Sequence, residues 1–255
     1  MTMPHSGTPE RSVVDRALSV LGAFDRQNRT LTLSDLSRRS GLPLATAHRI
    51  VNKLHSWGAL ERNADGSYSI GLRLWETGTL APRCSPLAEA AQPYLMELHN
   101  RTSAGAFIVI RDRVEGVCLS FVVNGSDSLM SWIESGDRMP LHACASGLIL
   151  LAHAEESVQN EVCAGPLRAY TSATPSQGAA LRQTLAKVRR EGYAVSQRTL
   201  QPDVSSLAFP VRSADGAVVA AVAVVAPAAT FHLAKLLPPV SATADAVTQH
   251  LRSSG

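Results

Sequence analysis

This sequence predicts an α+β chain in two parts, and three observations predict it. Near the amino end, three helix-like segments are followed by two short alternating runs that meet at Asp65-Gly66. Beyond residue 104, helix-like and mainly antiparallel strand-like stretches follow one another in irregular order. Charge is also unevenly placed. Residues 1–80 hold ten Lys and Arg against seven Asp and Glu, whereas residues 81–255 hold fourteen of each.

The elements follow from spacing. Residues 12–24 read as an amphipathic helix, since Val14, Ala17, Leu18, Leu21 and Phe24 recur three and four residues apart. Polar residues 25–30 end it. A second short helix takes Ser34 as its expected N-cap, carries Asp35 in the first turn, where the dipole favours an acid, and stops at Gly41. Leu42-Pro43 then leads into a third helix over residues 44–57, with Pro43 near its first position, where a missing N–H costs nothing. Its buried stripe is Ala47, Ile50, Val51 and Leu54, which turns Ala45, His48, Arg49, Asn52 and Lys53 outward. Asp65-Gly66 joins the runs 59–63 and 67–70 as a hairpin, because that turn needs positive φ. The order helix, helix, turn, helix, hairpin is that of a winged helix-turn-helix.

Residues 71–103 read as a helical connector: a short helix on Leu72, Leu74, Trp75 and Leu80, ended by Pro82 and Pro86, then a second over 87–100 despite Pro93. Further on, strands are expected at 106–111, 116–123, 129–133, 193–196, 207–212 and 218–225, with a hairpin at Asp215-Gly216. Helices are expected at 143–153, 176–191 and 240–251.

Composition excludes several classes. Apolar residues at 45% are too many for a disordered tail. The longest apolar run, 217–226, is closed by Pro227 and is half the length of a membrane-spanning helix. Residues 1–10 carry no apolar export core. Cys84, Cys118, Cys144 and Cys163 form no CxxC pair, so neither a zinc site nor a disulfide framework is expected. A cytoplasmic protein with reduced thiols, no metal and no cofactor follows.

Between Arg26 and Lys53 six basic residues face one acid, Asp35, so the head is suited to a polyanion. A helix fits the major groove of duplex DNA, where Arg49 can donate twice to guanine, Asn52 can pair with adenine, and Thr46 can touch a thymine methyl or a phosphate. Lys53, Arg38 and Arg39 suit phosphates, and His48 faces either DNA or solvent.

These residues also carry a resemblance. Ser40-Gly41-Leu42-Pro43 with Thr46-Ala47-His48-Arg49, Leu54 and Gly58 resembles the DNA-reading segment of IclR-type bacterial transcription regulators. Asp65-Gly66-Ser67-Tyr68 and Gly71-Leu72-Arg73-Leu74 are similar to that family's wing and its exit. The run from Gly136 to Ala143, Gly192-Tyr193-Ala194-Val195-Ser196 and Ala208-Phe209-Pro210-Val211 are similar to its carboxyl half. The resemblance implies a winged helix-turn-helix DNA-binding domain (1–70), a helical linker (71–103) and a GAF-like effector-binding domain (104–255) that assembles into a homodimer or homotetramer. It further implies a ligand-responsive regulator, a repressor by default, acting on an operator and a catabolic operon.

The same resemblance implies an effector pocket at Ala145, Ser146, Ser196, Ser206, Ala223 and Val225. Free N–H groups at a helix start suit a carboxylate, and Met130 and Trp132 on a preceding strand would add an apolar wall. The chain departs from the family pattern by carrying Leu148 and Ile149 where a lysine is usual, Thr199 for an acid and Asp203 for a glycine, with apolar Ala223 and Val225 on the last strand. Lost polar partners favour a partly apolar or aromatic acid over a small hydrated one. The competing reading is a small-molecule enzyme with a helical head, with Asp203 or Glu134 as its acid. No nucleophile elbow, paired carboxylates or phosphate loop supports it. Cys144 reads as an apolar filler before a redox sensor, and His142 as a backbone-bonded residue before a metal ligand.

Overall fold

The computed structural model describes residues 12–81, 84–123 and 133–253. Two compact units divide the chain, one up to Pro82 and one from Arg83 onward. The stretch expected to act as one connector is therefore shared, its first helix in one unit and its second in the other.

In the first unit, α1 (Val13–Leu21) opens on a capping box. The Ser12 hydroxyl accepts from the Asp15 amide and the Asp15 carboxylate accepts from the Ser12 amide, each at 3.0 Å. Of its expected inward face, Ala17, Leu21 and Phe24 pack against the core, together with Val20, while Val14 and Leu18 are exposed. Apolar residues line more than one face of this helix, and spacing alone does not say which of them meets the core. Helix α2 (Leu33–Ser40) is capped by Thr32, two residues before the expected Ser34. Thr32 lies three residues before Asp35, so the two side chains satisfy each other's free amides, which Ser34 beside Asp35 cannot do. Gly41 ends α2, and α3 (Leu44–Trp57) runs over the expected residues, with Pro43 just ahead of it.

Strands β1 (Thr30–Leu31), β2 (Leu60–Arg62) and β3 (Tyr68–Ile70) form an antiparallel sheet in the order β1-β3-β2. Two-residue β1 shows no alternation in sequence, which hid it. At the hairpin tip Gly66 has φ +84°, and the Ser67 amide donates to Asp65 Oδ1 at 2.9 Å. Val20, Leu36, Ala47, Val51 and Leu60 are fully buried in this unit's core. Helix α4 (Leu72–Thr79) is tied to the end of α3: the Arg73 guanidinium lies 4.5 Å from the Trp57 ring centroid and donates to the Trp57 carbonyl at 3.0 Å.

The second unit is a six-stranded antiparallel sheet with helices on both faces. Its strands are β4 (Gly105–Asp112), β5 (Glu115–Val122), β6 (Arg138–Pro140), β7 (Ala194–Gln197), β8 (Val204–Arg212) and β9 (Val218–Pro227), ordered β6-β5-β4-β9-β8-β7. One face packs on α5 (Ser85–Thr102) and α9 (Leu233–Ser253). The other packs on α6 (Ala145–Ala152), which is covered in turn by α8 (Gly178–Glu191), with α7 (Glu156–Ala164) against α8. Side chains alternate accordingly: Ala221, Ala223 and Val225 of β9 face α6, while Ala220, Val222 and Val224 face α5 and α9. Burial on both faces is why 217–226 reads as one unbroken apolar run.

Four differences from expectation have local causes. Pro86 belongs to the first turn of α5, where proline is tolerated, and does not end the preceding helix. Strand β6 is too short to alternate visibly, and α7 lies in a polar stretch with a single buried residue, Cys163. Helix α9 starts at Leu233, ahead of the expected 240, and carries Pro238 and Pro239 inside its early turns. The strand expected at 129–133 falls outside the described residues except for Ile133, which is buried but in no strand.

Helix α6 is buried along its whole length. A Cβ at Gly147 would fall 2.6 Å from the Leu141 Cα and 2.8 Å from the carbonyl oxygens of Leu141 and Pro140. All three are backbone atoms, so only movement of the helix relieves the clash. Gly147→Ala is expected to cost about 1–3 kcal/mol, a fall in Tm of roughly 2–12 °C by calorimetry; a shift under a degree would mean that α6 moves freely.

Acid should weaken the first unit. The Asn28 side chain holds Asp25, the Thr32 hydroxyl holds Asp35 and the Ser67 hydroxyl holds Asp65 below the usual carboxylate range. Their contribution is therefore complete above about pH 4, the value for an unfolded carboxylate, and is lost as pH falls through the lowered folded values. Urea titrations of the full chain should give an Asp35→Asn deficit that is constant from pH 7 to 5 and shrinks below about pH 4. A deficit independent of pH down to 3 would refute this.

Candidate functional site

Two surfaces carry the chemistry, one in each unit. On α3, Ala47, Ile50 and Val51 are buried, while His48, Arg49, Asn52 and Lys53 are exposed and Thr46 is half-buried. The sequence-derived face is thus the solvent face. Among the described residues neither the Arg49 nor the Lys53 side chain has a hydrogen-bond or ion-pair partner. The Asn52 amide nitrogen lies 3.2 Å from His48 Nε2, so these two sit together one turn apart. Arg38 is exposed and donates to Asp35 at 2.7 Å, a pairing weak enough in water to exchange for a phosphate.

Arg39, also expected to contact phosphate, is partly exposed and already has partners. Its Nε donates to the Ala23 carbonyl at 2.7 Å and its guanidinium pairs with Asp25, so it holds α2 to the end of α1. Arg62, not among the expected residues, is exposed on β2 beside the hairpin turn, and its side chain has no partner among the described residues. Its signal in the sequence was simply a cation beside the hairpin turn.

In the second unit a small cavity of about 10 Å³ lies between the start of α6 and the sheet. Of the expected effector residues, Ser196, Ser206 and Val225 line it. Ala145, Ser146 and Ala223 are buried beside it without lining it, and Met130 and Trp132 lie outside the described residues. The Ala145 amide donates to Ser206 Oγ at 3.4 Å, a long bond that leaves this helix-start donor weakly held. Ser196 and Thr199 both donate to the Ala143 carbonyl, at 3.3 and 2.6 Å. Sequence reasoning missed most of the apolar wall, made by Phe107, Met139, Leu200 and Val204. These residues come from four separate segments, and only the sheet order brings them together.

Cys144 also lines the cavity. Burial pushes its thiol up, as it pushes Cys118 up to about 12, so both are held as neutral thiols rather than reactive thiolates. His142 Nε2 meets the Arg168 carbonyl at 3.0 Å, a backbone partner as expected. Asp203, proposed as an acid for an enzyme, is exposed and does not line the cavity. No group of three or more metal-ligating side chains occurs among the described residues. No helix among them is long and apolar enough to cross a membrane.

Known proteins bear on both surfaces. The family described as bacterial transcriptional regulator IclR C-terminal matches residues 83–249, and the IclR helix-turn-helix domain matches residues 13–64. The chain is 31% identical over 210 residues to the HTH-type transcriptional regulator XynR of Escherichia coli K12, covering 82% of this chain and 83% of that protein. It is 26% identical over 221 residues to the HTH-type transcriptional repressor AllR of Salmonella typhi, covering 84% and 79%. A crystal structure of an IclR homologue from Microbacterium hydrocarbonoxydans, complexed with 4-hydroxybenzoate, matches with a TM-score of 0.89 at 30% identity, over 95% of this chain and all of that one. Both units are thus matched by proteins named as transcriptional regulators, and the chain belongs to the IclR family of bacterial transcriptional regulators.

Proposed function

We propose that this regulator represses a catabolic operon by seating α3 in the major groove of its operator, and that a partly apolar or aromatic organic acid in the sheet domain relieves repression. The observation that carries the reading is the solvent face of α3, where Arg49 and Lys53 stand unpaired opposite a fully packed stripe. Arg49 and Asn52 read base edges, Thr46 and His48 flank them, and Lys53, Arg38 and Arg62 hold phosphates. Arg39 acts indirectly, by fixing α2. Such work places the protein in the cytoplasm, with the DNA. AllR, named a repressor, supports the sign of the response.

The effector class is supported by the chamber's aromatic and aliphatic wall and by the 4-hydroxybenzoate bound to the Microbacterium relative. A carboxylate fits the Ala145 amide at the start of α6. Effector and operator affinities must change one another by the same factor, whatever geometry residues 71–103 transmit. A homodimer or homotetramer is supported by exposed apolar side chains on α1 and around α4, among them Leu18 (59% exposed) and Trp75 (65%).

Arg49→Ala is expected to cost about 1–3 kcal/mol of specific operator binding, and Lys53→Ala to weaken all sequences alike and lower the salt slope by about one. Unchanged operator affinity in Arg49→Ala would remove α3 from the interface. In a thermal-shift screen, 4-hydroxybenzoate and related ring acids should raise Tm more than glyoxylate does; the opposite ranking would reject the effector class.

A further inference from the structure

The chamber has an effector's chemistry but not its volume. About 10 Å³ admits roughly one water, whereas a dry cavity that takes a single benzene ring is on the order of 150 Å³. Some wall must therefore move, and the walls differ in how they are held. Phe107, Val204, Ser206 and Val225 belong to central strands paired on both edges. Ile133 precedes a turn pinned to β5, where the Gly136 amide donates to the Cys118 carbonyl and the Cys118 amide to the Asp137 carbonyl. Met139 and Ser196 lie on the edge strands β6 and β7, each paired along one side, whereas Leu200 belongs to no strand. It sits on the connection between β7 and β8, outside any strand or helix, and is only half-buried while packing against the core.

That connection is closed at its ends by backbone bonds, from the Arg198 amide to the Val204 carbonyl at 3.0 Å and from the Ala228 amide to the Asp203 carbonyl at 2.7 Å. Across Arg198 and Thr199 it is held by hydroxyl groups. Thr171 Oγ1 donates to the Arg198 carbonyl at 2.6 Å, and Thr174 Oγ1 donates to the Thr199 carbonyl at 2.6 Å. Thr174 is itself aimed by accepting the Tyr170 and Thr171 amides at 3.0 and 2.9 Å. From inside, Thr199 Oγ1 reaches the Ala143 carbonyl, just ahead of α6. Arg198 turns the chain in the left-handed region at φ +59°, uncommon for a residue with a side chain.

We propose that Leu200 is a plug that occupies the effector's place, and that Thr171 and Thr174 form the latch that keeps the β7–β8 connection shut. Leu200 then determines the size of acid the chamber accepts. Because Thr199 grips the Ala143 carbonyl, expelling the plug also releases the approach to α6, so entry and response share one movement. This inference rests on the effector reading above for its ligand, but the latch can be tested without one.

Trypsin cuts after Arg198 only when the connection opens, and cutting tracks the open population when opening is fast. In the full-length protein, the double variant Thr171→Val with Thr174→Val should be cut at Arg198 about tenfold faster than wild type, with cutting at Arg190 unchanged. Equal rates at Arg198 would overturn the latch. A protein that spends most of its time plugged binds with an affinity reduced by its open fraction. Leu200→Ala, which removes three carbons, should therefore bind 4-hydroxybenzoate about tenfold more tightly by calorimetry, with Leu200→Val in between. Binding that is unchanged or weaker in a folded Leu200→Ala variant would overturn the plug. If neither wild type nor Leu200→Ala binds 4-hydroxybenzoate or benzoate, the plug and the effector class both fall, and the protease rates alone decide the latch.

Discussion

Packing of Ala47, Ile50 and Val51 against Val20, Leu36 and Leu60 decides which side of α3 remains in water. Each fully buried aliphatic side chain is worth about 1.5–3 kcal/mol. Rotating α3 by a third of a turn would forfeit several kcal/mol, a large share of a domain's usual margin of about 5–15 kcal/mol. The cationic face is therefore fixed without any ion pair of its own. Arg49 and Lys53 can stay unpaired because the apolar side of the helix already holds it in place. Arg39, pinned on Ala23 and Asp25, shows the opposite use of the same residue type: its charge helps to hold α2 to the segment that follows α1.

The sheet domain rests on a comparable constraint. Burial on both faces leaves few places for polar atoms, so Ser196, Ser206 and Thr199 gather where α6 starts and where unsatisfied backbone groups exist to meet them. A polar spot inside an apolar shell is what an amphipathic acid requires: a few donors for the carboxylate and hydrocarbon for the rest. Close packing also explains why the chamber is small at rest. Interiors do not keep empty space of ligand size, so side chains fill the place that the proposed effector would take.

Much of the helical head was legible in the sequence. The third helix matched to the residue, because a packed stripe leaves a period that can be counted, and Asp65-Gly66 located the hairpin because few residues tolerate its φ. Caps and short pieces were not legible to the same degree. Thr32 displaced Ser34 through a reciprocal hydrogen bond, and two-residue β1 exists only because β3 lies beside it. Val14 and Leu18 satisfied the periodic pattern yet stayed outside, since periodicity reports that a face is apolar and not what it meets.

Local order along the chain was enough to determine that this protein has a basic reading helix, a wing and an α+β domain behind them, since period, turn chemistry and charge act over a few residues. Tertiary structure alone decided that Arg39 is a tether, that Phe107, Met139, Leu200 and Val204 share one chamber, and that the chamber is shut. Those facts depend on which strands become neighbours and how tightly a helix is pressed on them. Such contacts join residues as much as a hundred positions apart, and no short-range pattern records them.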